Sequence, residues 1–286
     1  MSDINVYEHE IPNGSRLYFA KSAKLKRKIE QKASEILEDE GFSEIVTPFF
    51  SYHQHLSVDA TNLLRFSDSL NHEISLRADS TVDTVRIVLR RLKANEPKRW
   101  FYIQPVFRYP SQEIYQIGAE LIGENDILNS VNIVAKLFNE LEIGACLQLS
   151  NMQIPRIICE ILNLEIEIFE NSWLEKILAQ NVPWLSKLAL LKDASELDEI
   201  VSLVPDKLKE ALRNLQSVAK SLEYKNLRIV PLYYSKMRYY DSLFFRFLKD
   251  NAILASGGNY EIDGISSSGF AVYTDALIEE KINLRK

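Results

Sequence analysis

As a strand, the segment from Ile114 to Gly123 sends Gln116, Gly118 and Glu120 to one face and Tyr115, Ile117, Ala119 and Leu121 to the other. A carboxylate and a carboxamide flanking a residue without a side chain suit a small polar ligand. Glu120 can accept from an ammonium, Gln116 can donate or accept, and Gly118 leaves space between them. Taken alone, the same residues describe a solvent-facing strand with a chance glycine equally well. His53 and His55 could present two imidazoles to one metal ion, but no cysteine or acid at ligand spacing joins them, and no metal or cofactor is expected. Arg86, Arg90 and Arg91 form a basic stripe whose plainest reading is a solvated face with ion pairs. The aromatic cluster from Tyr233 to Phe247 reads as core. Cys146 and Cys159 are the only cysteines; set in apolar surroundings, they read as buried thiols.

Several elements must position these groups. Leu25, Ile29, Ala33, Ile36 and Leu37 recur at helical spacing, which predicts an amphipathic helix from Arg16 to Glu40 capped by Gly41. Phe42 to Phe50 reads as a strand closed by Pro48. A second helix opens at Ser80, with Asp83 completing a capping pair and Val82, Val85, Val88, Leu89 and Leu92 as its buried face. Trp100–Arg108 and Ile114–Gly123 form an antiparallel hairpin about the turn Tyr109-Pro110-Ser111-Gln112-Glu113. From about Asn151 to Tyr224 the chain is rich in Leu, Ile, Glu and Lys at helical spacing, broken at Pro183 and Pro205, and reads as a helical insertion. Strand character returns over Leu227–Tyr234, Arg238–Leu248 and Ala252–Ser256; Gly257-Gly258 and a final short helix follow.

With 286 residues, 46% hydrophobic and 26% charged, the chain can bury about 75% of its unfolded surface. No apolar run reaches the roughly 20 residues of a membrane span, and Met1 to Glu10 is acidic and polar, unlike a signal peptide, so a cytoplasmic protein is expected. A formal charge of −6 disfavours generic binding to a phosphate backbone.

A series of landmarks then resembles the histidyl-tRNA synthetase family. In order they are Ile11-Pro12-Asn13-Gly14, Gly41-Phe42-Ser43-Glu44-Ile45-Val46-Thr47-Pro48, Leu76-Arg77-Ala78-Asp79-Ser80-Thr81 leading to Arg86, and Phe107-Arg108 at the start of motif 2. Gln116 to Gly123, Tyr239-Tyr240, Gly257-Gly258-Asn259-Tyr260 and Gly269-Phe270-Ala271 complete the series. Each is weak alone, but their order across residues 11 to 280 is not a chance pattern. The resemblance implies an α+β fold, a class II aminoacyl-tRNA synthetase-like antiparallel sheet flanked by helices over 1–286, with the helical insertion at 151–226 inside it. It also implies a histidine pocket of Asp79, Thr81, Gln116, Gly118, Glu120, Tyr239 and Tyr240, and a vestigial ATP site at Arg108.

Departures from the family suggest that the chemistry has gone. Adenylate formation needs positive charge on the phosphates, supplied in the family by arginines of motif 2, motif 3 and a histidine-specific segment. Only Arg108 is clearly present. The motif 3 arginine falls at Ala276, and Arg-Gly-Leu-Asp-Tyr-Tyr becomes Ser235-Lys236-Met237-Arg238-Tyr239-Tyr240, leaving Lys236 or Arg238 as the substitutes by position. The motif 2 loop is shorter and lacks its Gly-Arg segment. Two lost contacts of about 2.7 to 4 kcal/mol each would remove about 10⁴ to 10⁶ in rate. The resemblance runs nearly to Lys286, so no anticodon-binding domain and no tRNA partner are expected. A non-catalytic homodimer follows, resembling the regulatory subunit that completes short-form ATP phosphoribosyltransferase in histidine biosynthesis, with the catalytic subunit as partner and free histidine as effector. Dimerisation is expected through Leu25 to Pro48. The alternatives are a free-standing ligase adenylating a small amino acid and a class II-like dimer with an unrelated partner.

Overall fold

The computed structural model describes residues 10–92, 98–191 and 193–283. The acidic N-terminus read from the sequence lies, up to residue 9, outside the described residues. The first helix, α1 (Ala20–Asp39), starts later than its periodicity suggested and ends as expected: Gly41 takes φ +81°, the left-handed region a glycine adopts without penalty. The stretch expected as one strand to Phe50 is broken into β1 (Ser43–Glu44) and β2 (Phe50–Ser51). Between them Thr47 and Pro48 turn their carbonyls to the Arg77 side chain instead of a neighbouring strand. The following β3 (Arg65–Ser67) and β4 (Glu73–Leu76) join β2 in a separate three-stranded sheet, β2-β4-β3.

Next comes α2 (Thr81–Arg90), with Ser80 at its N-cap as expected, but the Ser80–Asp83 capping pair does not form. Asp79 Oδ1 instead accepts the Thr81 amide at 3.1 Å, while Asp83 is bonded by Ser51 Oγ at 2.9 Å and Gln54 Nε2 at 2.7 Å. Val82, Val85 and Val88 are buried; Leu89 lies one position outside that arc and is exposed. The expected hairpin is β5 (Arg99–Arg108) and β6 (Gln112–Leu121), paired in full register from Arg99↔Leu121 to Arg108↔Gln112. Asp126 caps α3 (Ile127–Glu140) by accepting from the amides of Leu128 and Asn129, and β7 (Cys146–Asn151) follows.

Between β7 and β8 (Leu227–Ile229) run α4 (Gln153–Leu162), α5 (Glu167–Glu170), α6 (Leu174–Leu178), α7 (Pro183–Leu190), α8 (Leu197–Leu203) and α9 (Asp206–Ser221). Pro183 and Pro205 stand at the first turn and the N-cap of helices, where a missing amide costs nothing. Strand β8 stops well short of Tyr234. The last sheet elements are β9 (Tyr240–Lys249), β10 (Ala252–Ile262) and β11 (Ile265–Tyr273), with α10 (Thr274–Asn283) closing the described chain. Here the sequence reading needs its largest correction: β10 runs straight through Gly257-Gly258, and a whole strand, β11, precedes the final helix. Asp263 and Gly264, at φ 52° and 77°, make the tight turn between them.

The main sheet has the order β1-β5-β6-β11-β10-β9-β7-β8, antiparallel within and parallel at both edges, where β1 meets β5 and β7 meets β8. One face carries Phe101, Ile117, Ala119, Leu121, Phe245 and Phe270 into a single large core with α1, α3 and α10. Because α1 spends Leu25, Ile29, Ala33, Ile36 and Leu37 there, the exposed apolar side chains of the Leu25–Phe50 stretch are Val46, Phe49 and Phe50. The opposite face is covered by α2, with Val82, Val85 and Val88 against Trp100, Tyr240, Phe244 and Tyr260. Cys146 and Cys159 are half-buried free thiols rather than fully buried ones.

Candidate functional site

The α2 side of the sheet gathers the polar residues singled out in the sequence. β6 presents Gln116, Gly118 and Glu120 on this face, and the loop into α2 brings Asp79 and Thr81 over it. Tyr239 and Tyr240 are separated from β6 by two strands, β11 and β10, so they reach the cluster through their rings rather than as neighbours of the Gln116 strand. Tyr239 donates to Asp79 Oδ2 at 3.2 Å, its ring lies 4.6 Å from that of Tyr240, and it meets Tyr260 edge-on at 5.7 Å.

Glu120 is the centre. It is fully buried, with Tyr102 donating to Oε1 at 3.0 Å and Tyr260 donating to Oε2 at 2.6 Å. The Thr81 hydroxyl lies at the same cluster, 3.5 Å from the Tyr239 hydroxyl. Burial pushes the Glu120 carboxyl up to about 8; the Tyr260 hydrogen bond and the neighbouring Thr81 hydroxyl pull it down, and the charge of Asp79 pushes it up. Asp79 is likewise raised by burial, against the opposing charge of Arg108. Arg108 donates from Nε to the Ala78 carbonyl at 3.1 Å, so it braces the loop that carries Asp79.

Two glycines make this packing possible. Gly118 pairs with Tyr102, whose ring lies where a Cβ on Gly118 would sit. Gly269 pairs with Glu120, and its missing side chain admits the carboxylate. The space that Gly118 was expected to leave for a ligand is therefore occupied by the Tyr102 ring. Gln116 is buried, and its side-chain amide makes no hydrogen bond among the described residues, which leaves a donor and an acceptor for a ligand. Sequence reasoning missed Tyr102 altogether and noted Tyr260 and Gly269 only as landmarks. The signal for Tyr102 was the hairpin register, which sets an aromatic ring across from a glycine.

Other candidates find ordinary partners. Arg86 and Arg90 both bond Asp263, at 2.9 and 2.8 Å. Lys236 donates to Asn171 at 3.1 Å and Arg238 pairs with Asp59 at 2.9 Å, both on the surface. Ala276 packs against the core on α10. His53 and His55 rings lie 6.4 Å apart, and among the described residues no group of three or more His, Cys, Asp or Glu could hold a metal ion. No helix among the described residues is long and apolar enough to cross a membrane.

Comparison with known proteins agrees with the landmarks. The Histidyl-tRNA synthetase family model matches residues 16–277. The ATP phosphoribosyltransferase regulatory subunit of Wolinella succinogenes is 47% identical over 277 residues, covering 96% of this chain and 96% of its own. That of Helicobacter hepaticus is 38% identical over 277 residues, covering 96% and 98%. Among solved structures, an ATP phosphoribosyltransferase regulatory subunit/histidyl-tRNA synthetase from Bacillus halodurans aligns with a TM-score of 0.84 at 20% identity, over 96% of this chain and 83% of that one, which is a likeness of fold.

Proposed function

Because the chain belongs to the histidyl-tRNA synthetase family, and within it to the ATP phosphoribosyltransferase regulatory subunits, we propose that it serves histidine biosynthesis as the non-catalytic partner of a short-form catalytic subunit. The observation that carries this reading is the 47% identity to the Wolinella succinogenes regulatory subunit over 96% of both chains. The site supports it from the other side. Ala276 and Ser235 stand where the family keeps arginines, and the two cations nearest in sequence to the second position, Lys236 and Arg238, are committed to Asn171 and Asp59. Phosphate charge would meet Arg108 alone of the three family arginines.

In this proposal the pocket of Asp79, Thr81, Gln116, Gly118, Glu120, Tyr239 and Tyr240 serves as a histidine sensor. Histidine entry requires the Tyr102 ring to leave Gly118, and the free amide of Gln116 and the carboxyl of Glu120 then face the ligand. The protein acts as a cytoplasmic homodimer, and exposed Val46, Phe49 and Phe50 supply apolar area for the dimer contact.

The test combines capture and catalysis. Tagged protein should retain a short-form catalytic subunit and be required for its full activity, and it should not exchange pyrophosphate into ATP with histidine. Robust exchange with any amino acid would favour a ligase, and failure to bind the catalytic subunit would sink the regulatory role. Calorimetry above pH 8, where the Glu120 carboxyl has given up its proton, should detect histidine binding that Glu120→Gln weakens by about 1.5 to 3 kcal/mol, the range for a hydrogen bond to a charged group.

A further inference from the structure

Two arginines are drawn into the body of the protein with no carboxylate in ion-pair distance among the described residues, and they differ in how their donors are met. Arg77 is 1% exposed and makes five hydrogen bonds, to the carbonyls of Thr47, Pro48 and Pro105 and to Thr47 Oγ1, using all three of its nitrogens. It is a finished structural group. Arg246, on the α2-side face of β9, is half-buried and unfinished. Its Nη2 donates to Gln148 Oε1, its guanidinium lies 3.6 Å over the Tyr233 ring, and its buried Nε has no partner. A desolvated guanidinium short of acceptors is costly, and the missing partner that would lower the cost most is an oxyanion, which a guanidinium binds through two parallel N–H groups.

The neighbours of Arg246 fit that occupant. In register across the sheet stand Gln148, Arg246, Ser256, Ala271 and Gly118, a row whose side chains become small beyond Ser256. Ser256 Oγ and Tyr273 Oη lie 3.0 Å apart, so one of their two hydroxyl hydrogens joins them and the other remains to donate outward. Burial pulls the Arg246 pKa down, with Tyr233 the group that opposes the fall, so no acid offsets the desolvation.

We propose that Arg246, with Gln148, Tyr233 and the Ser256–Tyr273 hydroxyl pair, forms a binding site for the oxyanion of a small metabolite, a carboxylate or a phosphate. The site is built from residues outside the Glu120 cluster, so it stands or falls separately from histidine sensing.

Calorimetry on the full chain, with inorganic phosphate or acetate as the probe and ionic strength held constant with sodium chloride, tests it. Saturable binding of at least one probe is expected. Preference for phosphate assigns a phosphate-bearing ligand, and equal or tighter binding of acetate assigns a carboxylate. Arg246→Gln should weaken binding by roughly ten- to a hundredfold, the equivalent of one charge-assisted hydrogen bond, and Arg246→Lys should keep part of it. Thermal unfolding without added anion separates this from a structural role: Arg246→Gln should melt no lower than the wild type, since it removes a poorly met buried charge. Ser256→Ala, a milder change, should also weaken binding. No saturable binding of either probe to the wild type, or unchanged binding in Arg246→Gln, overturns the proposal.

Discussion

The two faces of the main sheet are stabilised by different physics. On one, Phe101, Ile117, Ala119 and Leu121 pack against α1, α3 and α10 in one apolar cluster. On the other, separated by the thickness of a single strand, Glu120, Asp79, Tyr102 and Tyr260 are buried, with Tyr102 and Tyr260 donating to Glu120 and the half-buried Tyr239 donating to Asp79. The first face gains free energy from removing carbon from water. The second recovers what it spent on dehydrating carboxyls, and it does so only while they keep their protons or their phenolic donors.

The contrast predicts different responses to pH. Glu120 in the unfolded chain ionises near 4.5, whereas the folded chain holds its proton to about 8. Between those values the folded state binds more protons, so stability should fall as pH rises through that window and level off above it. For an isolated group this is of order 5 kcal/mol, at about 1.36 kcal/mol per unit. Denaturant titrations of the wild type and Glu120→Gln from pH 5 to 9 should show the slope in the former and most of it gone in the latter; parallel curves would refute the linkage. On the apolar face, Phe101→Ala should cost about 3 to 5 kcal/mol at every pH, as a cavity does.

Smaller changes sharpen the same distinction. Tyr260→Phe removes a donor from a buried carboxyl and should cost about 1 to 3 kcal/mol, while extending the falling limb of the pH curve above pH 8, because the Tyr260 bond is what holds the Glu120 pKa down. An unextended limb would mean that Tyr260 does not influence that proton. Gly118→Ala should cost about 1 to 3 kcal/mol through overpacking against Tyr102, whose ring must move aside. Tyrosine fluorescence or a crystal structure of the variant with Tyr102 unmoved would contradict the crowding. Asp263→Asn, which loosens surface pairs to Arg86 and Arg90, should change stability by about 1 kcal/mol or less.

The apolar face was the legible one. A period of two along Ile114–Gly123 and a helical period along Leu25–Leu37 need no knowledge of partners; both elements form, the helix starting four residues later than expected and the strand set two residues earlier, over Gln112–Leu121, so that Gln112 and Glu113 belong to it rather than to the turn. The polar face was legible only as a set of residue types. Nothing local tells that Glu120 is sealed by Tyr102 and Tyr260, because those contacts depend on register between β5 and β6 and on β10 and β11 standing between β6 and β9. Strand β11 opens on Ser266-Ser267-Ser268-Gly269, which carries no apolar alternation, and that half is held between β6 and β10 on either side. Its one local signal, Asp263-Gly264 at the turn, was available and unused. Asp83 looked like a capping residue because its spacing from Ser80 fits, but Ser51 and Gln54, from a distant stretch of chain, claim its carboxylate.

Arg77 has a mechanical consequence. By fastening the Thr47-Pro48 carbonyls to that of Pro105, it joins the segment before β2 and the end of β4 to the second half of β5, and so couples the small sheet to the large one. A three-stranded sheet this short would ordinarily fray on its own. Tied in this way, it should open only when the β5–β6 hairpin opens, so the amides of β4 and β5 should exchange hydrogen as one cooperative unit rather than as two.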